Sequence, residues 1–158
     1  MISEVRGADI VFDALVQALC PRPYPGHPRG CPNYGHRPTC PPGSPLIDAV
    51  LYLAAPVFVV YTEFDIGAHA AALRERHPEW SERQVYCCLY WQPRARKYLR
   101  AEEDRARLEM GVGRVVHCPE AHGVYVDALM RHLGVTLEWP PRNTARLVSL
   151  AGVPGGAR

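Results

Sequence analysis

No stretch of this sequence is apolar for long enough to cross a bilayer: the longest such run, Ala49 to Tyr61, is short and broken by Pro56. The N-terminus lacks the basic start and uninterrupted apolar run of a secretory signal, and carries Glu4, Asp9 and Asp13 instead. It therefore reads as part of the mature fold. Neither sign of charge is in excess, the net being +2, so overall charge selects neither nucleic acid nor membrane nor an acidic partner. A cytoplasmic protein with no membrane association is the expectation from these absences.

Catalytic signatures are also missing. There is no Gly-x-Ser-x-Gly and no His-Glu-x-x-His, and the Gly-Val-Gly at Gly111 to Gly113 lacks the further glycine of a dinucleotide loop and stands before a strand instead of after one. No internal repeat is present. Cysteine pairs two to four residues apart, the usual zinc-binding arrangement, are absent as well.

What the chain does have is proline and cysteine crowded into one place. The segment CPRPYPGHPRGCPNYGHRPTCPPGSP, Cys20 to Pro45, holds nine prolines, four glycines and three cysteines. Proline has no backbone donor and glycine adds freedom, so hydrogen-bond ladders cannot organise it; either it is disordered or something binds its cysteines. A hydrophobic fraction of 47% is enough for a core without disulfides, so in a reducing compartment the six cysteines point to metal or catalysis more than to a disulfide framework, which their even number still allows.

Four of the six are followed by proline: Cys20-Pro21, Cys31-Pro32, Cys40-Pro41 and Cys118-Pro119. With proline at one residue in ten, that pattern arises by chance about once in a thousand sequences. Cysteine followed by proline recurs in ferredoxin-type iron–sulfur loops, where the ring stiffens the chain beside the ligand. Cys20, Cys31 and Cys40 are separated by ten and eight residues. Single, widely spaced thiolates suit a cluster with separated corners better than one ion. Cys87 and Cys88, in the apolar stretch VYCCLYW, read as small core residues. His27 and His36 in the loop, and His117 and His122 beside Cys118, are candidate ligands or proton donors, or packing residues.

Elsewhere, Ile10, Phe12, Leu15, Val16 and Leu19 recur at helical spacing, which predicts a helix from Ala8 to Leu19. LIDAVLYLAA predicts a helix before Pro56, and Val57 to Asp65 a strand buried on both faces. Helices are expected ending before Pro78, after the Ser81/Gln84 capping box, and from Pro93 to about Met110. Val112 to Cys118 reads as a second buried strand, Glu120 to Leu133 as a helix, and GVTLEW as a third strand. The expectation is one α/β domain over residues 1–158 with a small, mainly parallel sheet, helical crossovers, an inserted Pro/Cys-rich metal loop at 20–45 and a flexible tail at 153–158. Cys118 then lies at the C-terminal end of a strand before a helix N-terminus, where the helix dipole favours a thiolate.

CPNYG followed by TCPP resembles an uncharacterised family of predicted metal-binding bacterial proteins with a C…CPNYG…CPP segment. CPEAHGVYVDALMRHLGV is similar to that family's distal segment, in which an acidic-Ala-x-Gly-Val stretch leads into a helix. The resemblance implies metal ligation by Cys20, Cys31, Cys40 and Cys118. The further C-terminal cysteines of some members are missing, and the family names no reaction.

Three functions are expected from these residues. The first is an iron–sulfur protein with one [4Fe–4S] cluster on Cys20, Cys31, Cys40 and Cys118, serving redox or sulfur-transfer chemistry with an unidentified partner. Should Cys118 stand outside the cluster, the open iron would make it an enzyme. The second is a structural zinc site in a binding module. The third, not favoured, is nucleic-acid binding through RQVYCCLYWQPRARKYLR, where cations alternate with aromatic rings.

Overall fold

In a computed structural model, which describes residues 1–156, four strands form one sheet in the order β1-β2-β4-β3. They are β1 (Ile2–Val5), β2 (Val57–Asp65), β3 (Arg114–Val116) and β4 (Thr144–Gly152), and every neighbouring pair is antiparallel. The expected mainly parallel sheet is thus corrected. β2 and β3 do run the same way, with a helical connection between them, but β4 occupies the slot between the two. It pairs with β2 along its whole length, from Val57 opposite Gly152 to Asp65 opposite Thr144.

β2 has the bounds its β-branched run predicts. Val57, Val59 and Tyr61 enter one core with Val5, Val116, Leu150 and Met130, while Val60 and Phe64 face the other side. This is the period of two that a strand covered on both faces must show. The first face is covered by the N-terminal segment, by the short helix α2 (Ile47–Val50) and by α6 (Val126–His132). The second is covered by the long helix α5 (Cys88–Met110), whose Trp91, Ala95, Leu99, Glu103 and Ala106 form its buried stripe. Ala145 and Ala151 of β4 face Ala95 and Ala106 across small side chains, which lets helix and sheet approach closely.

The remaining helices are α1 (Ala14–Gln17), α3 (Ile66–Arg76) and α4 (Glu82–Val85). Asp65 caps α3 by accepting from Ala68 N–H at 2.7 Å, and Gln84 of α4 accepts from Ser81 N–H at 2.9 Å. The helix expected over residues 8–19 is instead a 3-10 turn, Gly7–Asp9, and the single turn of α1. Between them Phe12 bridges to Val124, an extended contact that tertiary packing favours over helix. α2 is likewise one turn, because Leu51 leaves it to pair with Pro154. α5 starts before Pro93, which is tolerated near the helix start because few backbone bonds precede it. The second strand, β3, is a three-residue edge strand, not a strand buried on both faces, since only β4 flanks it and Arg114 is exposed.

GVTLEW forms no strand. Its Glu138 instead ties the turn into β4, accepting from the N–H groups of Arg142 at 2.9 Å and Asn143 at 2.8 Å. These bonds pull the Glu138 carboxyl down to about 2. A lowered folded pKa stabilises the fold above the ordinary glutamate range, and that contribution drains as pH falls toward 2. NMR titration should find the Glu138 carboxyl resonance unshifted down to about pH 3, and Glu138→Gln should reduce stability at pH 7 more than at pH 2; an ordinary titration midpoint would contradict the turn geometry.

Of the segment expected to be a free tail, Val153 accepts from Tyr52 N–H at 2.9 Å and Gly155 donates to Val50 at 2.9 Å, while residues 157 and 158 lie outside the described residues. No helix among the described residues is long and apolar enough to cross a membrane.

Candidate metal centre

The Pro-rich loop leaves α1 and returns at α2, and both ends are fastened to the turn just after Cys118. Gln17 Nε2 of α1 donates to Ala121 O and to Ser44 O, each at 2.9 Å. Ser44 Oγ donates to Ala121 O at 2.6 Å, and His122 Nδ1 stands 2.8 Å from Pro45 O. A carbonyl can only accept, so His122 carries its proton on Nδ1. Ser44 and His122 are both buried, so these bonds are shielded from water. The distant cysteine segment is in this way tied to the loop's exit.

Gly123 completes the junction. Its φ is +83°, and a Cβ there would lie 2.7 Å from Leu46 Cδ2 and 2.8 Å from Asp13 O. Gly123→Ala should destabilise the protein by about 2 kcal/mol, from strained backbone and displaced neighbours together. A urea unfolding curve that does not move would refute this packing.

Inside the loop the Cys-Pro pairs have a structural cause. Cys31 O accepts from Tyr34 N–H at 3.2 Å, Cys40 O from Gly43 N–H at 3.1 Å, and Cys118 O from Ala121 N–H at 2.9 Å. Each cysteine thus opens a hydrogen-bonded turn whose second residue is proline, the position that proline's fixed φ pre-organises. Cys20 differs: Pro23 has no N–H to give, and Cys20 O accepts from Cys31 N–H at 2.8 Å instead. That bond sets two cysteine backbones side by side, so close that a Cβ at Gly30 would meet Pro21 and Cys20 carbonyl atoms within 2.8 Å.

Cys20 and Cys118 each lie within electrostatic reach of Cys31 and Cys40. Burial raises the Cys20 thiol, and Cys31, Glu120 and Cys40 raise it further. The Cys118 thiol is pushed up to about 11, first by burial and then by Glu120 and Cys40, with Arg96 opposing and Cys31 adding. Cys118 and Glu120 both keep solvent access, with protein packed around them. The dipole-stabilised thiolate expected at Cys118 is corrected here. The chain after Cys118 makes only a single 3-10 turn, Pro119–His122, too short for a useful dipole, while burial and a carboxylate both disfavour the anion. Among the described residues, no three His, Cys, Asp or Glu side chains are gathered closely enough to hold a single metal ion.

The chemistry of the donor set fits a soft metal centre. Thiols are soft donors, Cys118 lies near Cys31 and Cys40 of the other segment, and the surrounding charge includes Arg96 of α5. Glu120 is an oxygen donor in the same place, with its carboxyl pushed up by burial. Sequence reasoning missed both Glu120 and Arg96. Glu120 stands two residues after Cys118, which is the one signal that was available. Tyr24 also belongs to this neighbourhood: its hydroxyl is raised by burial and then by Cys31, Cys88 and Cys20.

The other candidates have ordinary partners. His117 Nδ1 pairs with the buried Glu103 at 3.0 Å, joining β3 to α5. Cys87 precedes α5, and Cys88 packs beside Trp91 and Phe64. In the basic-aromatic stretch, Trp91 is buried against Phe64, Arg142 lies 4.2 Å over the Tyr86 ring, and Arg94 donates to Tyr98 Oη at 2.8 Å. These rings are engaged within the chain.

Comparison with known proteins finds no matching family model, no matching curated protein and no matching solved structure.

Proposed function

We propose that this is an iron–sulfur protein in which Cys20, Cys31, Cys40 and Cys118 hold one [4Fe–4S] cluster for redox or sulfur-transfer chemistry. The observation that supports the reading is that Cys20 and Cys118, from segments far apart in sequence, both lie near Cys31 and Cys40, with the turn after Cys118 tied by hydrogen bonds to the loop's two ends. A tetrahedral zinc with Zn–S bonds near 2.3 Å needs its sulfurs about 4 Å apart, whereas cluster corners stand wider. The wide sequence spacing of Cys20, Cys31 and Cys40, single thiols in place of pairs two to four residues apart, favours the wider object. The likeness of CPNYG, TCPP and CPEAHGV to a family of predicted metal-binding proteins supports the same ligand set.

When bound, such a centre accepts and returns single electrons. The chain's own residues define the rest. The turns at Cys31, Cys40 and Cys118 preset the directions of three ligands, and the Gln17–Ser44–Ala121 bonds hold the two segments in register. Arg96 lowers the cost of a thiolate at Cys118, and no acidic residue lies between Cys20 and Pro45 to oppose the negative charge of the ligands. Glu120 places a carboxyl beside Cys118 and Cys20, in position to hold a proton next to the centre.

The test is the visible and electron paramagnetic resonance spectrum of anaerobically prepared protein, with iron and acid-labile sulfide assayed on the same sample. About four irons and four sulfides per chain, with broad absorption bleached by dithionite, is the expected result. One zinc and no sulfide would replace this reading with a structural zinc site, and no metal at all would remove both.

A further inference from the structure

A depression of about 480 Å³ opens on the outer side of the Pro-rich loop, where α4 approaches it. Its polar lining is one-sided in charge: Arg29, His27 and His36 come from the loop, Arg83 comes from α4, and no carboxylate takes part. Among the described residues neither Arg29 nor Arg83 has an ion-pair partner, in contrast to Arg74, Arg142 and Arg146, each of which faces a glutamate. Two arginines from separate segments line one cavity without a partner anion among the described residues, so an anion bound there can pair with both.

The rest of the lining tells what else the ligand carries. Pro21, Pro28 and Pro32 supply apolar ring faces, and Tyr34 adds an aromatic one with a hydroxyl. The volume lies within the range of small-molecule sites and well above what a bare inorganic anion fills. Gly26 and Gly30, with φ of +83° and +77°, make the tight turns that hollow this part of the loop.

We infer that this depression is a binding site for a small organic anion, a carboxylate or phosphate on a compact apolar or aromatic body. The anionic head pairs with Arg29 and Arg83 and the body rests on the proline and tyrosine faces. Cys31 forms part of the wall, so a bound anion lies next to one of the proposed cluster ligands. The charged and apolar contacts of the site come from residues other than the cysteines. The site would survive a zinc centre as well as a cluster.

Isothermal titration of the full chain, as purified, with phenyl phosphate, benzoate, inorganic phosphate and neutral benzyl alcohol tests the assignment. Saturable binding of phenyl phosphate or benzoate is expected, weaker for inorganic phosphate and absent for benzyl alcohol. Arg29→Gln and Arg83→Gln should each weaken it about tenfold or more, as loss of a charge-assisted hydrogen bond does. Both positions are exposed, so the fold should tolerate the changes, and circular dichroism checks this. Arg100→Gln, elsewhere on α5, should leave binding unchanged. The tighter of phenyl phosphate and benzoate identifies the head group, and either order supports the site. Failure of both to saturate below about 10 mM, or equal binding by wild type and both arginine variants, overturns it. Iron and sulfide assays on the same samples report separately on the cluster, so loss of one assignment does not disguise loss of the other.

Discussion

Replacing Cys31 or Cys40 by serine is expected to strip the metal from the protein and to lower its melting temperature by on the order of 10 °C. Between α1 and α2 the chain runs through turns, with only the small Tyr24–His27 bridge resembling a ladder. Its fastening to the body lies at the exit, through Ser44 and Pro45, and at Gln17 before the entrance. The middle, where Cys31 and Cys40 stand, is held by single turn bonds and no ladder, so under the proposed function a bound metal would add much of its stability. One kcal/mol shifts the midpoint of a domain this size by about 2–4 °C, so losing even about 4 kcal/mol gives the stated drop. Metal analysis and calorimetry of both variants check it. Unchanged metal content together with an unchanged midpoint would end the metal-loop reading. Cys87→Ser serves as the comparison: half-buried before α5, it should lose a little packing and retain all the metal.

The Cys-Pro pairs were legible in the chain as a local pattern, and three of the four open hydrogen-bonded turns. β2 was legible for the same reason, since Val57, Val59 and Val60 beside aromatic residues admit few alternatives. β4 was not. Its Ala145, Ser149 and Ala151 lack the β-branched signature, and they are small because α5 lies against them, a requirement visible only after the helix is in place. With β4 unread, two strands running the same way suggested direct parallel pairing, and the sheet type was wrong. Glu120 and Arg96 escaped for a related reason. A single charged residue carries no periodicity, and its place beside Cys118 is set by how the turn after β3 meets α5. His122 was visible as a neighbour of Cys118, but its bond to Pro45 spans 77 residues.

Cys118→Ala should cost the cluster a corner, leaving a three-iron or labile product, a spectrum unlike that of wild type and a shifted reduction potential. The alternative makes Cys118 a free thiol facing an open iron, in which case the four-iron spectrum survives and only turnover is lost. Local construction favours the first under the proposed function. Cys118 begins the same kind of turn as Cys31 and Cys40, with proline second and the fourth residue's N–H returning to the cysteine carbonyl. Ala121, which donates that N–H, is also the residue whose carbonyl receives Ser44 and Gln17. The Cys118 turn is therefore clamped to the loop carrying the other three cysteines, as a shared ligand set requires. A free nucleophile is better served by surroundings that favour the thiolate, and here burial and Glu120 oppose it. A metal, in contrast, displaces the thiol proton on binding. Anaerobic iron counting with electron paramagnetic resonance on Cys118→Ala distinguishes the outcomes, and an intact four-iron signal would transfer Cys118 from ligand to open-site thiol.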